Sequence, residues 1–242
     1  MAAGFQAFAD TGRYQIDGQT PNYQLVSSMS GTSVTGGLPL AVNDAGIAFY
    51  ANLPYVKFTF PISSTTMPMY GVYASNGIGV SMWSTEYNSN TRLFTMTFVT
   101  EQPCPVNLYL FDRVPPAAGN FGLQVFDSSG ALIADASRPF LRVLDVIYEE
   151  YMPGDGFVSV GPPNPSWKQR SYGVPVVISG IYPVHFAWSY DPAGLELGSI
   201  RVSGDTVYWG TTMFGGGRKP NFSGFKEQWH LRFMVLDATG IV

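Results

Sequence analysis

The sequence contains two histidines, His185 and His230, and nucleophilic catalysis most often depends on such a side chain as the base. Both lie in aromatic, strand-like contexts, since His185 falls within Pro183–Trp188 and His230 directly follows Trp229. No Gly-x-Ser-x-Gly nucleophile elbow accompanies them, and their separation fits neither the i,i+2 nor the i,i+4 spacing of paired zinc ligands. We therefore expect packed or interface histidines and no metal site.

A group of carboxylates, Glu149, Glu150 and Asp155, is the best candidate for the acid pair of a polysaccharide-degrading enzyme. Adjacent residues of a strand point to opposite faces, so Glu149 and Glu150 cannot both flank one glycosidic bond if they lie on a strand. Asp155 lies within Pro153–Gly156, a sequence typical of a turn. Solvated loop charges are the simpler interpretation, and we expect the chain not to be an enzyme.

Two further features could carry chemistry. The glycine-rich run Gly215–Gly217 followed by Arg218 and Lys219 suggests an anion cradle, but it lacks the P-loop pattern and leads into Pro220 rather than into a helix. Cys104 is the only cysteine, which excludes an intramolecular disulfide and a cysteine-based metal cluster. With no basic neighbour to lower its pKa, Cys104 is expected to be an ordinary thiol. We predict no cofactor.

Aromatic residues are the one site-like concentration in the chain. Flat rings can stack on sugar faces, so this group is a candidate glycan-binding surface, although packing in the core or between subunits is the more frequent role of such residues. The group comprises Tyr182, Trp188, Tyr190, Tyr208 and Trp209.

The composition indicates which elements position these residues. Charged residues make up only 12% of the chain, aromatic residues reach 15%, and there are 27 glycines and 18 prolines. Exposed helices need many charged residues to cover their outer face, so short strands joined by turns are favoured and helix should be minor. Because so little charge cannot cover the surface, apolar surface should be buried against neighbours, which predicts a homo-oligomer.

The net charge of −4 and the absence of basic clusters argue against nucleic-acid binding. The N-terminal residues lack the pattern of a signal peptide, and no stretch is apolar enough to span a bilayer as a helix. We expect neither classical secretion nor membrane insertion.

An internal repeat organises the chain. The segment from Gly4 to Gly12 resembles the segment from Gly122 to Gly130, and at the same offset Pro21 matches Pro139. Each copy predicts a hairpin with a tight turn, at Asp10–Gly12 in the first copy and at Ser128–Gly130 in the second. The repeat-defining residues are Gly4, Phe8, Gly12 and Asp17 in the first copy and Gly122, Phe126, Gly130 and Asp135 in the second.

The likeness extends to the ends of the two copies, where residues 106–112 resemble residues 231–237, and more loosely residues 56–60 resemble residues 184–188. Residues 141–151 could form a helix, but their β-branched residues favour a strand. The sequence thus predicts an all-β chain of two tandem, related antiparallel β-sandwich-like domains, residues 1–114 and 121–242, joined by a proline-rich linker at residues 115–120.

The repeated signature, Gly-x-Gln-x-Phe-x-x-x-Gly followed by Asp, resembles a unit of tail-tip or baseplate-associated minor tail proteins of long-tailed bacteriophages. The passage from Leu110 to Pro116, followed by Asn120 to Asp127, is especially similar to them. This resemblance implies a virion structural role at the host-contact end of the tail, with assembly in the bacterial cytoplasm and no catalytic residues. It implies other tail proteins as partners, in a homo-oligomer with the trimeric or hexameric symmetry of a tail. The alternatives are a module that binds a bacterial surface glycan or pilus and, less favoured, the polysaccharide-degrading enzyme.

Overall fold

The computed structural model describes residues 6–8, 14–17, 22–42, 48–62, 67–113, 123–150, 167–183, 185–188, 194–215, 225–228 and 230–242. Within these ranges the chain is built of strands and one short 3-10 turn at Ser75–Gly77. The strands are β1 (Gln6–Phe8), β2 (Tyr14–Asp17), β3 (Tyr23–Thr32), β4 (Val34–Val42), β5 (Ala48–Pro61), β6 (Met69–Ala74), β7 (Val80–Asn88), β8 (Leu93–Thr100), β9 (Pro105–Arg113), β10 (Gln124–Phe126), β11 (Leu132–Asp135), β12 (Val143–Glu150), β13 (Lys168–Ser171), β14 (Val176–Tyr182), β15 (His185–Trp188), β16 (Gly194–Ser203), β17 (Thr206–Gly215), β18 (Phe225–Gln228) and β19 (His230–Asp237).

Two large antiparallel sheets contain most of these strands. The six-stranded sheet has the order β12-β19-β14-β6-β9-β3, and the nine-stranded sheet has the path β13-β17-β16-β7-β8-β5-β4 with β15 attached to β16 and β18 to β15. Alternate residues of both sheets meet in one apolar core, which contains Phe58 and Phe98 of one sheet and Leu108 and Phe233 of the other. The predicted all-β, antiparallel, sandwich-like fold is confirmed.

The repeated hairpin is present in both copies with the same register. Gln6 pairs with Asp17 in β1–β2, Gln124 pairs with Asp135 in β10–β11, and each hairpin has an irregularity at the equivalent position. The second copy turns at Ser128–Gly130 as predicted, with φ of +84° at Gly130, where a side chain would be strained. The remaining repeat glycines, Gly4, Gly12 and Gly122, lie outside the described residues.

The rest of the repeat can be followed through the six-stranded sheet. In the first copy β9 lies between β3 and β6, and in the second copy β19 lies between β12 and β14. The pairing shifts between Leu25 and Ser27 on β3 and between Val143 and Asp145 on β12, which are equivalent positions. The predicted likeness of residues 106–112 to 231–237 is therefore structural, and residues 143–150 form a strand as predicted.

The looser likeness of residues 56–60 to 184–188 does not correspond to equivalent strands. β5 pairs with β4 and β8, whereas β15 pairs with β16 and β18. The strand of the second copy that matches β5 in its pairing is β13, which lies beside β17 as β5 lies beside β8. The similar alternation of apolar residues in β5 and β15 therefore does not mean that the two strands occupy equivalent places in the sheet.

The two copies share both sheets. β6 pairs with β14 through Val72 and Ile178, and β7 pairs with β16 through Val80 and Ile200. Close approach at the first of these junctions depends on Gly71, because a Cβ atom there would lie 2.8 Å from Cγ2 of Val177. The core is consequently continuous from one copy to the other. The predicted linker, residues 115–120, lies outside the described residues.

A second connection between the copies closes one end of the six-stranded sheet. The backbone N–H of Leu25 donates to the carbonyl of Pro139, and that of Leu141 donates to the carbonyl of Tyr23, both at 2.8 Å. The chain then continues into β12, which pairs with β19. One segment of the second copy therefore bridges the two edge strands of this sheet, and the repeated proline at position 139 lies at the bridge.

Gln24 fixes this closure from the first copy. Its buried amide donates from Nε2 to the carbonyls of Asp135 (2.5 Å) and Arg138 (2.8 Å), and its Oε1 accepts from the N–H of Asp135 (2.8 Å). The carboxylate of Asp135 accepts from the N–H and Oγ of Ser137, and these hydrogen bonds lower the pKa of Asp135. Asp135, the last residue of the repeated signature, therefore stabilises the loop to which the side chain of Gln24 is hydrogen-bonded.

We predict that Gln24→Ala lowers the free energy of unfolding by about 2–4 kcal/mol, because it removes three hydrogen bonds, two of them buried, to the backbone of Asp135 and Arg138. Chemical denaturation followed by circular dichroism measures this change. The matched control is Gln169→Ala on the exposed strand β13, which should change stability by less than about 0.5 kcal/mol. Equal effects of the two substitutions would contradict the role assigned to Gln24.

Candidate functional site

The predicted aromatic surface is not assembled as one platform in the described part of the chain. Trp209 is 4% exposed, and its ring packs edge-on against Phe233 with centroids 5.9 Å apart. Tyr208, its neighbour on β17, is half-buried, whereas Tyr182 is exposed at the end of β14 in the other sheet. Trp209 is thus a core residue, and Tyr182 and Tyr208 do not share a face. Tyr190 and the side chain of Trp188 lie outside the described residues.

The carboxylate of Glu149 is bound by side chains of two other strands. Its Oε2 accepts from Nζ of Lys168 at 2.6 Å, and its Oε1 accepts from Nε1 of Trp209 at 3.1 Å. Four residues earlier, on the same face of β12, Asp145 pairs with Arg170 and accepts from Oη of Tyr172 at 2.9 Å. These ion pairs join β12 of one sheet to β13 of the other at the open edge of the sandwich.

The electrostatics of this edge favour the ionised pairs. Burial acts to raise the pKa of Asp145, but hydrogen bonds from Tyr172 and Arg170 outweigh it and hold the pKa below its usual value.

The first copy closes the equivalent edge without charge. Gly31 occupies the position of Glu149, and a Cβ atom there would lie 2.9 Å from Cγ2 of Val56 on β5. Close packing in one copy is replaced by ion pairs in the other.

His230 makes a packing and hydrogen-bonding contact. Its Nδ1 lies 2.9 Å from Oη of Tyr148, and the two rings stack with centroids 5.4 Å apart. His185 belongs to β15 of the other sheet, and its side chain lies outside the described residues. The described residues do not bring the two histidines together as a site.

The remaining candidates give no reactive group among the residues that the structure describes. Cys104 is a buried free thiol, and burial raises its pKa, in agreement with the prediction of an ordinary thiol. Glu150 pairs through its backbone with His230, and its side chain lies outside the described residues. Asp155, Gly216, Gly217, Arg218 and Lys219 also lie outside them.

An apolar stripe covers the outer face of β12. Leu144, Val146 and Tyr148 alternate with the inward-facing Asp145, Ile147 and Glu149, and Val146 and Tyr148 are 58% and 57% exposed. The equivalents of Val146 and Tyr148 on β3 are Ser28 and Ser30, which are also exposed. At these two positions the copies have the same backbone but opposite surface chemistry. We call Leu144, Val146 and Tyr148 the β12 stripe.

A cavity of about 600 Å³ lies where the two copies meet, and its lining includes the exposed side chains of Tyr182 and Arg232. Its walls come from strands of both copies, and we call it the junction cavity. No pattern in the sequence indicated it, because its walls are brought together by pairing between the copies. It is lined by Phe60, Met67, Pro68, Met69, Tyr70, Met82, Trp83, Ser84, Thr85, Phe94, Met96, Ser179, Gly180, Ile181, Tyr182, Pro183, Leu197 and Arg232.

Two polar residues of the junction cavity have defined positions. Oη of Tyr70 accepts a hydrogen bond from the N–H of Ile181 at 2.9 Å, and burial raises the pKa of Tyr70, so the phenol stays neutral. The guanidinium of Arg232 lies 5.4 Å from the centre of the Tyr182 ring, within the range of a cation–π contact. The cavity therefore combines apolar walls with one cationic group.

In the described ranges, no cluster of three or more His, Cys, Asp or Glu side chains is arranged to hold a metal ion. Those ranges also contain no helix with the length and apolarity needed to cross a membrane. Comparison with protein-family models, with curated proteins and with solved structures gave no match.

We predict that Trp209→Ala lowers the free energy of unfolding by about 3–5 kcal/mol, because it leaves a cavity in the core and removes a hydrogen bond to Glu149. Tyr208→Ala, at the adjacent and opposite-facing position, should cost less than half as much. Thermal and denaturant unfolding of both variants measure the difference. A stable Trp209→Ala protein would show that this ring is not part of the core.

Proposed function

We propose that the chain is a structural subunit of a bacteriophage tail tip or baseplate, which contacts neighbouring tail proteins. The repeated signature, with its resemblance to tail-tip proteins, is the basis for the virion assignment. Its Gln and Asp have a structural role in the second copy, where Gln124 Nε2 lies 3.3 Å from Asp135 Oδ2 across the hairpin. The signature thus describes how a hairpin is built, and it contains no reacting group.

The observation that carries the proposal is the divergence of the two copies at the β12 stripe. Exposed apolar residues in a row are costly unless another surface covers them, and the first copy avoids this cost with Ser28 and Ser30 at the equivalent positions. Because the backbone is equivalent in the two copies, folding does not require apolar residues there. Contact with a neighbouring subunit accounts for them, and β12 is also an edge strand of its sheet.

The alternative of a glycan-binding module has weaker support. It requires a set of aromatic rings on one exposed face, and among the five predicted residues Trp209 is buried while Tyr182 and Tyr208 belong to different sheets. The enzyme alternative depended on Glu149, Glu150 and Asp155, and Glu149 is engaged by Lys168 and Trp209. Scaffolding through the second copy is the function that we favour.

We predict that Val146→Ser combined with Tyr148→Ser, which copies the serines of the first copy, abolishes association while changing stability by about 1 kcal/mol or less. Analytical ultracentrifugation of the purified protein measures self-association, and mass spectrometry of particles made by the encoding phage measures incorporation. The matched control is Val34→Ser combined with Tyr87→Ser, which removes comparably exposed apolar side chains from the first copy.

The wild-type chain and the control should associate and enter particles, and the Val146/Tyr148 variant should do neither. A wild-type chain that remains monomeric and is absent from intact particles would overturn the proposed function.

A further inference from the structure

The junction cavity has the properties of a small-molecule site. Its volume of about 600 Å³ lies in the range of about 300–1,000 Å³ that is usual for ligand pockets, and such pockets are mainly apolar with a few fixed polar groups. It lies where two structural units meet, as ligand sites often do. The two copies form its walls through the pairing of β6 with β14 and of β7 with β16, so it is preformed by the fold.

The apolar lining is suited to a flexible chain or ring system. Four of the nine methionines of the protein line the cavity, and the unbranched thioether side chain adapts its shape to different apolar partners. They lie at Met67, Met69, Met82 and Met96. The aromatic residues Phe60, Trp83 and Phe94 add flat surfaces to the same walls.

The charge in the cavity selects the polar end of the ligand. Arg232 is the one charged residue among the described residues that line it, and no carboxylate accompanies it there. A guanidinium binds carboxylate, sulfonate or phosphate oxygens through two parallel hydrogen bonds. Tyr70 stays neutral and its Oη accepts from Ile181, so it adds no charge that would repel an anion.

We propose that the junction cavity binds an anionic amphiphile, with its apolar body among the methionines and aromatic rings and its anionic group at Arg232. The site connects both copies with the outer face of the six-stranded sheet, because Arg232 pairs across the strands with Tyr148 of the β12 stripe. This inference does not depend on the virion assignment, since it follows from the shape and charge of the cavity alone.

The test uses the full chain and three probes of the same length, namely decanoate, decan-1-ol and decyltrimethylammonium, in isothermal titration calorimetry. Decanoate should bind to one site at least about tenfold more tightly than decanol, because its carboxylate forms a charge-assisted hydrogen bond with Arg232 that the hydroxyl of decanol cannot match. The decyltrimethylammonium cation should bind more weakly than decanol, because Arg232 repels it.

Two variants assign the binding to this cavity. Arg232→Gln should abolish the preference for decanoate over decanol, whereas Arg113→Gln, at an exposed arginine at the end of β9, should keep it. Ser84→Trp should weaken the binding of all probes by occupying the cavity wall, with thermal unfolding to show that the variant is folded. Failure of decanoate to bind, equal binding of decanoate and decanol, or unchanged binding in either cavity variant would overturn the proposal.

Discussion

Hydrogen bonding between the edge strands of the two copies is the constraint on which the rest of the structure depends. A strand edge carries unpaired N–H and C=O groups, and the edges of β6 and β7 are paired by β14 and β16 of the other copy. This pairing makes one core from two repeats, places the walls of the junction cavity opposite each other, and leaves β12 at the edge of its sheet.

The two copies show how a common backbone can serve different purposes. At one equivalent position the first copy has Gly31, which allows β3 and β5 to pack closely, and the second has Glu149, which pairs with Lys168 on β13. On the opposite face of the same strands, serines in the first copy correspond to apolar residues in the second. Specialisation has therefore occurred at the sandwich edges, while the register of the strands is retained.

Local patterns predicted much of the fold. Alternation and turn residues identified the strands, the repeated hairpin and its turn at Gly130, and the β-branched residues of 143–150 predicted β12 correctly. These signals depend on neighbouring residues in the sequence. The sharing of sheets depends on the match between edges of strands that lie about half a chain apart, which composition and periodicity do not encode. The junction cavity follows from that pairing, so it could not be predicted from the sequence either.

The candidate site residues also divide into those that the local sequence explained and those that depend on pairing between distant strands. His230 could be interpreted as a packing residue from its aromatic context, and Cys104 as an ordinary thiol from the lack of a basic neighbour. The burial of Trp209 and the ion pair of Glu149 required the position of β13. Alternation along a strand shows that two residues face opposite ways, but it does not show which face is covered. The β12 stripe was not evident in the sequence, because the inward-facing Ile147 is apolar as well, and its exposure in the structure distinguishes it from a core face.

The bridge from Pro139 to Leu141 has a consequence for biosynthesis. When the first copy leaves the ribosome, the open edges of β3, β6 and β7 have no partners, because these partners are encoded in the second copy. The open edges of β6 and β7 can be paired only after β14 and β16 have been synthesised, and the six-stranded sheet is complete only with β19, so these edges stay unpaired for a large part of translation. Building one body from two repeats therefore leaves strand edges open during synthesis, and open strand edges favour aggregation.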